Sequence, residues 1–385
     1  MFDIPSPYPL RDVSSEDLKG LAKALWNWNL CEPCRSQSEP GQLPCSPQPC
    51  PGMRWARMKP FFDYYTNITA SYVPDIVAGT PSALSNHTDL FAIIRLFKEN
   101  PDTKRSELTS THFAARDGVA PTPDDQDRAF NLALRVMTMV TCCLDNRSID
   151  TLEAGLQPIA WRDSMSWKQF LSTAFPVINL EPNDSRDATS RRIDELVTAR
   201  RLIKVARLRF VPTDELRNHL KLNRQDGTVE LYHHAAFLKE SLISSRTNEA
   251  DVPRQLAIEV LDSIQKTLFP STADARILLT SLVSKNKLDS DCLRFEPSSY
   301  LIEGEGASGY RYLESRLVEL YEELDNPTPR GFLEKWLERK SGARYVMMAT
   351  LGGVGIAIIL GALALAVSIF QAWVGWQQWQ HPVGN

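Results

Sequence analysis

The sequence predicts a mainly α fold: a helical cytosolic region with one small β-hairpin element, then a single C-terminal transmembrane helix. Three observations predict it. Tyr345 to Phe370 reads YVMMATLGGVGIAIILGALALAVSIF, twenty-six residues without a charge. At about 1.5 Å per residue, a helix of that length covers roughly 39 Å, enough to cross a ~30 Å hydrocarbon core with tilt. Upstream, apolar residues recur at helical spacing in one segment after another. The stretch from Leu222 to Tyr232 instead turns at Asp226-Gly227, a dipeptide that supplies the positive φ of tight hairpin turns.

Taken in order, Ser14 and Asp17 form a capping box for a helix to about Leu30, with Leu18, Leu21, Ala22 and Leu25 on one face. Residues 31–60 are rich in Pro, Cys, Gly and Ser and read as an extended loop. Asp89 to Glu99 is apolar nearly all round and reads as a buried helix. Thr122-Pro123-Asp124-Asp125 starts a helix expected to reach Leu144: Thr caps, Pro takes the first position, and acids load the first turn. A shorter aromatic helix spans Trp161 to Phe175, and the chain breaks near residue 183. The second half opens with a helix from Thr189 to Lys204, a strand at Arg207 to Phe210, and a short helix from Thr213 to Leu220. After the hairpin come helices at Ala235–Ile243, Arg254–Leu268, Thr272–Ser284 and Tyr310–Leu324. Beyond Asn326-Pro327-Thr328-Pro329, Phe332 to Lys340 reads as a juxtamembrane amphipathic helix. No internal repeat is visible.

The resulting organisation is an N-terminal helical region (1–183) holding the Cys/Pro-rich loop 31–60, and a helical region with the β element (184–326). A juxtamembrane helix (327–344), the span (345–372) and a short tail (373–385) complete it. The chain has 385 residues and a net charge of −4, which by itself favours neither nucleic acid nor an acidic partner. The opening MFDIPSPYPL lacks the basic and apolar regions of a secretory signal, so a cytosolic bulk is expected, with its seven cysteines as thiols or metal ligands. Lys335, Arg339, Lys340 and Arg344 precede the span and no Lys or Arg follows it, which keeps the N-terminal side cytosolic. Trp373, Trp376 and Trp379 read as an interfacial belt. The expectation is a single-pass, tail-anchored membrane protein, on whose cytosolic face the sequons at Asn67, Asn86, Asn146 and Asn183 are silent.

Candidate chemistry is sparse. Cys31-x2-Cys34-x10-Cys45-x4-Cys50 has the pair spacing of a structural zinc site, in which four thiolates close a tetrahedron. The loop's few apolar residues and five prolines between Glu32 and Pro51 favour the alternative, an irregular loop with incidental thiols. Cys142 and Cys143 read as helical core residues. Gly304-Glu-Gly306-Ala-Ser-Gly309 matches the dinucleotide fingerprint literally, but no second parallel strand with an acidic residue follows. Arg186 to Arg224 is strongly basic; a solvated face is the default, contact with anionic headgroups or an acidic partner the functional reading, and nucleic acid is not expected. Glu215 and His219 share a helix face, whereas His233 and His234, in a strand, point to opposite sides. No hydrolase, zinc-protease or phosphate-loop motif is present. Ala349, Gly353, Ala357 and Gly361 recur every four residues and suit close helix association in a bilayer.

Pro329-Arg-Gly-Phe-Leu-Glu-Lys-Trp-Leu-Glu-Arg339, running into Ser341 to Leu351, resembles the C-terminal signature of a family of uncharacterised proteins from filamentous ascomycete fungi. Asn218-His-Leu220 and His233-His-Ala-Ala-Phe-Leu238 resemble an internal block of the same family. The resemblance covers residues 125 to 383. It implies a fungal source and the anchor, and brings no activity and no catalytic residues. The favoured reading is a non-enzymatic protein binding a protein partner or the membrane. The alternative is an accessory protein or unrecognised enzyme of a specialised-metabolite pathway, which requires an enclosed cavity near His219, His233 or His234.

Overall fold

Capping side chains set where the first helices start. In the computed structural model, which describes residues 8–42, 45, 50–75, 80–114, 119–143, 159–177, 196–246, 251–286, 288–305, 309–329 and 344–380, α1 (Ser15–Trp26) begins at the expected capping box. Ser14 Oγ accepts from the Asp17 N–H, and the Asp17 carboxylate accepts from the Ser14 N–H at 2.9 Å. The helix ends short of Leu30 because Asn27 turns into left-handed backbone at φ 54°. The described part of the Cys/Pro-rich segment is more regular than its composition suggests. It holds α2 (Glu32–Ser36) and a 3-10 turn at Pro51–Met58, each with a proline in its first turn.

Helix α3 (Lys59–Ala70) comes directly after it, and α4 (His87–Glu99) starts where the Asn86 side chain accepts from the Asp89 N–H. After α5 (Arg105–Ala114), α6 (Pro123–Thr138) starts at its predicted cap, with Thr122 Oγ accepting from the Asp125 N–H at 3.3 Å. It stops at Thr138 rather than running to Leu144, because Met139 adopts left-handed backbone. Cys142 and Cys143 therefore form a strand, β1 (Cys142–Cys143), paired in parallel with β2 (Ile159–Ala160). Helix α7 (Trp167–Ala174) has its own capping box, Ser166 with Gln169.

The second half contains α8 (Ala199–Lys204), β3 (Arg209–Thr213), β4 (Leu222–Asn223) and β5 (Thr228–Tyr232). β4 and β5 form the expected hairpin, with Gly227 at φ 65°. β5 also pairs in parallel with β3, so the sheet order is β3-β5-β4. The short helix expected from Thr213 shrinks to a 3-10 turn at Leu216–Asn218. Then come α9 (Ala235–Ser244), α10 (Arg254–Asp262), which continues as a π-helix through Leu268, and α11 (Ala273–Asn286). A 3-10 turn at Ser290–Leu293, α12 (Pro297–Tyr300) and α13 (Glu314–Asp325) complete this part.

Contacts divide the chain into two units, Met1–Pro327 and Thr328–Asn385. In the first, α1 packs on both α4 and α9. Trp26 meets Phe61 at 5.4 Å and Phe237 at 5.9 Å between ring centroids, so rings from both halves of the sequence share one core. The boundary expected near residue 183 and the juxtamembrane helix expected at 332–340 lie outside the described residues. Among its described residues the second unit holds α14 (Arg344–Gln380), 37 residues long. Its apolar part, Thr350–Gln377, has mean hydropathy 2.5 with none of its most apolar window buried, and is long and apolar enough to cross a membrane.

Candidate metal centre

Helix α2 brings the first two thiols together. Cys31 caps it and Cys34 lies three positions on, so both fall on one face. Cys50 caps the 3-10 turn, and Cys45 comes from the chain between. The four Sγ atoms all lie within 4.8 Å of one another, and Cys34 and Cys45 are 3.3 Å apart. None is in a disulfide; Cys34, Cys45 and Cys50 are buried and Cys31 is half-buried. Tetrahedral zinc with Zn–S bonds of about 2.3 Å separates its sulfurs by about 3.8 Å, so this donor set can hold such an ion. The pair spacing therefore corresponds to four thiols gathered at one place, close enough to hold a metal ion.

Backbone close to the sulfurs shapes their chemistry. A Cβ on Gly52 would sit 2.7 Å from Cys34 Sγ, so only glycine lets this turn pass behind the thiols. Gly41, at φ 89°, would put a Cβ 2.3 Å from the Gly52 carbonyl oxygen. Burial pushes the Cys34 thiol up, and the Cys34 contact and burial push Cys45 up to about 12. At Cys50 burial also acts upward, but the Cys31 and Gly52 N–H groups outweigh it and bring the thiol down to about 7. A divalent cation removes the cost of holding thiolates side by side, because it binds the deprotonated form.

The cluster is fastened to the core by residues that no local pattern marks. From the 3-10 turn after Cys50, Arg54 reaches the buried Glu240 carboxylate of α9 through its Nε and, at 3.1 Å, its Nη2. Trp28 Nε1 donates to the same carboxylate at 3.1 Å. Arg57 reaches Glu296 at 2.9 Å. These partners stand 186 to 239 positions apart in sequence.

The histidines take other roles. Glu215 and His219 do not share a helix: Glu215 accepts from the Thr141 N–H at 2.8 Å, while His219 Nε2 meets Ser263 Oγ at 2.7 Å. His233 and His234 come after β5 in the turn into α9, so they are not held to the alternation of a strand. Both point Nε2 at Asp214 Oδ1, at 3.3 and 2.7 Å, with their rings stacked at 4.2 Å. This trio also lies within 4.8 Å, but its protons argue against a metal. His233 Nδ1 accepts from the Asp289 N–H at 3.2 Å, which assigns the proton to Nε2, the nitrogen a metal would need. Hydrogen bonds from His233 and His234 hold the Asp214 carboxyl well below the usual carboxylate range. Burial pushes His234 down to about 4 against the pull of Asp214.

The glycine fingerprint is also accounted for in part. Gly306 to Ser308 lie outside the described residues, but Glu305 is paired with Arg254 at 2.5 Å. The N–H groups of Arg311, Tyr312 and Leu313, ahead of α13, already serve the Glu259 carboxylate at 2.7, 2.8 and 3.1 Å. A phosphate at that helix start would meet a carboxylate in its place. Two neighbouring cavities, about 140 and 270 Å³, share Phe175 and Tyr312 in their walls. Neither is lined by His219, His233 or His234. Comparison with protein-family models, curated proteins and solved structures returns no match to this chain.

Proposed function

We propose that this chain is a single-pass, tail-anchored membrane protein whose N-terminal region stands in the cytosol and binds a protein partner or the membrane surface. One observation carries the reading: Thr350–Gln377 is a continuous apolar helix with its side chains exposed, which is costly in water and favourable in a bilayer. The cations at Lys335, Arg339, Lys340 and Arg344 support a cytosolic N-terminal side. Within that region Cys31, Cys34, Cys45 and Cys50 hold a structural zinc, which closes α2 onto the Pro51–Met58 turn. The walls of the two cavities are largely apolar and do not include His219, His233 or His234, which fits a binding role.

Protease added to intact microsomes tests topology and anchoring together. The N-terminal bulk should be digested while a fragment containing 350–377 resists carbonate extraction. Protection of the bulk, or glycans on Asn67 or Asn86, would reverse the orientation; release by carbonate would remove the anchor.

A further inference from the structure

Three packed elements of the first unit, α8, β3 and α11, carry clustered cations and exposed apolar side chains. Between Ala199 and Thr213, which covers α8 and β3, stand Arg200, Arg201, Lys204, Arg207 and Arg209, with no Asp or Glu. All five are exposed. Arg200 pairs with Asp274 of α11, and Arg209 donates to the Asp226 carbonyl at 3.5 Å. Arg201 and Lys204 have no ion-pair partner among the described residues. Helix α11 packs against both α8 and β3, and adds the exposed Arg276 beside Ile277. Ile277 is 69% exposed, more than any other large apolar side chain described in this unit, and Val205, at the end of α8, is 49% exposed. Val205 and Ile277 are next in sequence to the exposed cations Lys204 and Arg276, so each apolar side chain stands beside a positive one.

We propose that this face rests on the headgroup layer of an anionic phospholipid bilayer. The inference rests on the anchored reading above, since an apolar span keeps the region at a membrane. Charge complementarity selects the occupant: cations near an anionic leaflet are drawn to it, while Val205 and Ile277 enter the boundary between headgroups and acyl chains. An acidic protein would need an apolar counterpart placed opposite Ile277, whereas a bilayer offers one everywhere. Nucleic acid would leave both apolar side chains in water.

The test is hydrogen–deuterium exchange on the full chain reconstituted in nanodiscs of phosphatidylcholine, with and without phosphatidylserine. Peptides covering 199–213 and 273–286 should exchange more slowly in the anionic discs, by about fivefold, the factor one surface cation contributes. Added salt should erase the difference. Arg201→Glu with Lys204→Glu should abolish it, with thermal unfolding confirming an intact fold, while Lys59→Glu on the exposed side of α3 should leave it unchanged. Equal exchange in both discs overturns the inference. So does protection by poly-glutamate without protection by anionic lipid, which would assign the face to an acidic protein. A chain that fails to enter discs at all refutes the anchor instead.

Discussion

Gly52 has no room for a side chain, because a β-carbon there would lie 2.7 Å from Cys34 Sγ. Gly52→Ala should therefore lower metal content as surely as removing a ligand. Purified protein should carry about one zinc per chain by elemental analysis. Cys34→Ser should release it, whereas Cys142→Ser, on β1 away from the cluster, should retain it. Metal-free wild-type protein with an unchanged fold would end the zinc proposal. His219 makes a separate prediction about acid stability. Burial, helped by Arg316, pushes it down to about 3, while an unfolded histidine titrates near 6.5. As pH falls below about 6.5 the unfolded chain gains a proton that the folded chain refuses, so stability present above that value is lost on acidification. The slope is about 1.4 kcal/mol per pH unit for this group. His219→Gln should lose roughly 2 kcal/mol less than wild type between pH 7 and 5 in urea unfolding; identical losses would show that His219 does not titrate this way. At this scale the cysteines were legible because their spacing is local. Glu240 and Asp214 were not, because their partners come from other elements.

Elements with a chemical start signal were among those the sequence made visible. Ser14 with Asp17, Thr122 with Pro123, and Asp226-Gly227 each act within a few residues. Helix α3 carries the aromatics, Thr and Ile of KPFFDYYTNITA, residues that suit strands as well as helices, and it is helical because its Phe and Tyr rings pack into the core. The ends of α6 and α1 depend on left-handed Met139 and Asn27, and Met carries no such preference. Helix α9 depends on a buried pair. Lys239 Nζ donates to the Asp291 carboxylate at 2.5 Å, the Asp291 carbonyl at 3.0 Å and the Arg294 carbonyl at 2.7 Å, which uses all three of its donors. Lys239→Met should cost about 3 kcal/mol by removing the nearest cation of the buried Asp291, with Arg57 and Arg294 left at 3.9 and 3.7 Å. Adding Asp291→Asn should restore a large part; no recovery in urea unfolding would mean that packing, not charge, sets the loss. In α14, the proposed close association through Ala349, Gly353, Ala357 and Gly361 is directional. Gly353→Ile and Gly361→Ile should weaken it in a membrane two-hybrid assay while Val354→Ile and Leu360→Ile do not, and equal behaviour of all four would dismiss the stripe.

For the molecule as a whole, the mainly α class and the long apolar helix were readable because each rests on a continuous stretch of sequence. The parallel pairing of β3 with β5, and the shared core of Trp26, Phe61 and Phe237, join segments far apart, where periodicity carries no information. Because Met1–Pro327 forms its own contact unit, a chain ending at residue 327 should remain in solution without detergent and unfold at the temperature of the full chain. Aggregation, or a lowered midpoint, would mean that this unit depends on the C-terminal one for its stability.

The Glu240 carboxylate also sets a schedule. Trp28 and Arg54 are made 212 and 186 residues before it. At ribosomal speeds of about 5–20 residues per second, Arg54 waits roughly 10–40 s for its partner. During that interval the cysteine segment lacks the Glu240 carboxylate that fastens Trp28 and Arg54. A nascent chain stalled before Glu240 should react with a thiol reagent at Cys34, and one stalled well past Asp291 should not. A metal ion that reached the four thiols within that window would join α2 to the Pro51–Met58 turn before the rest of the core exists to hold them.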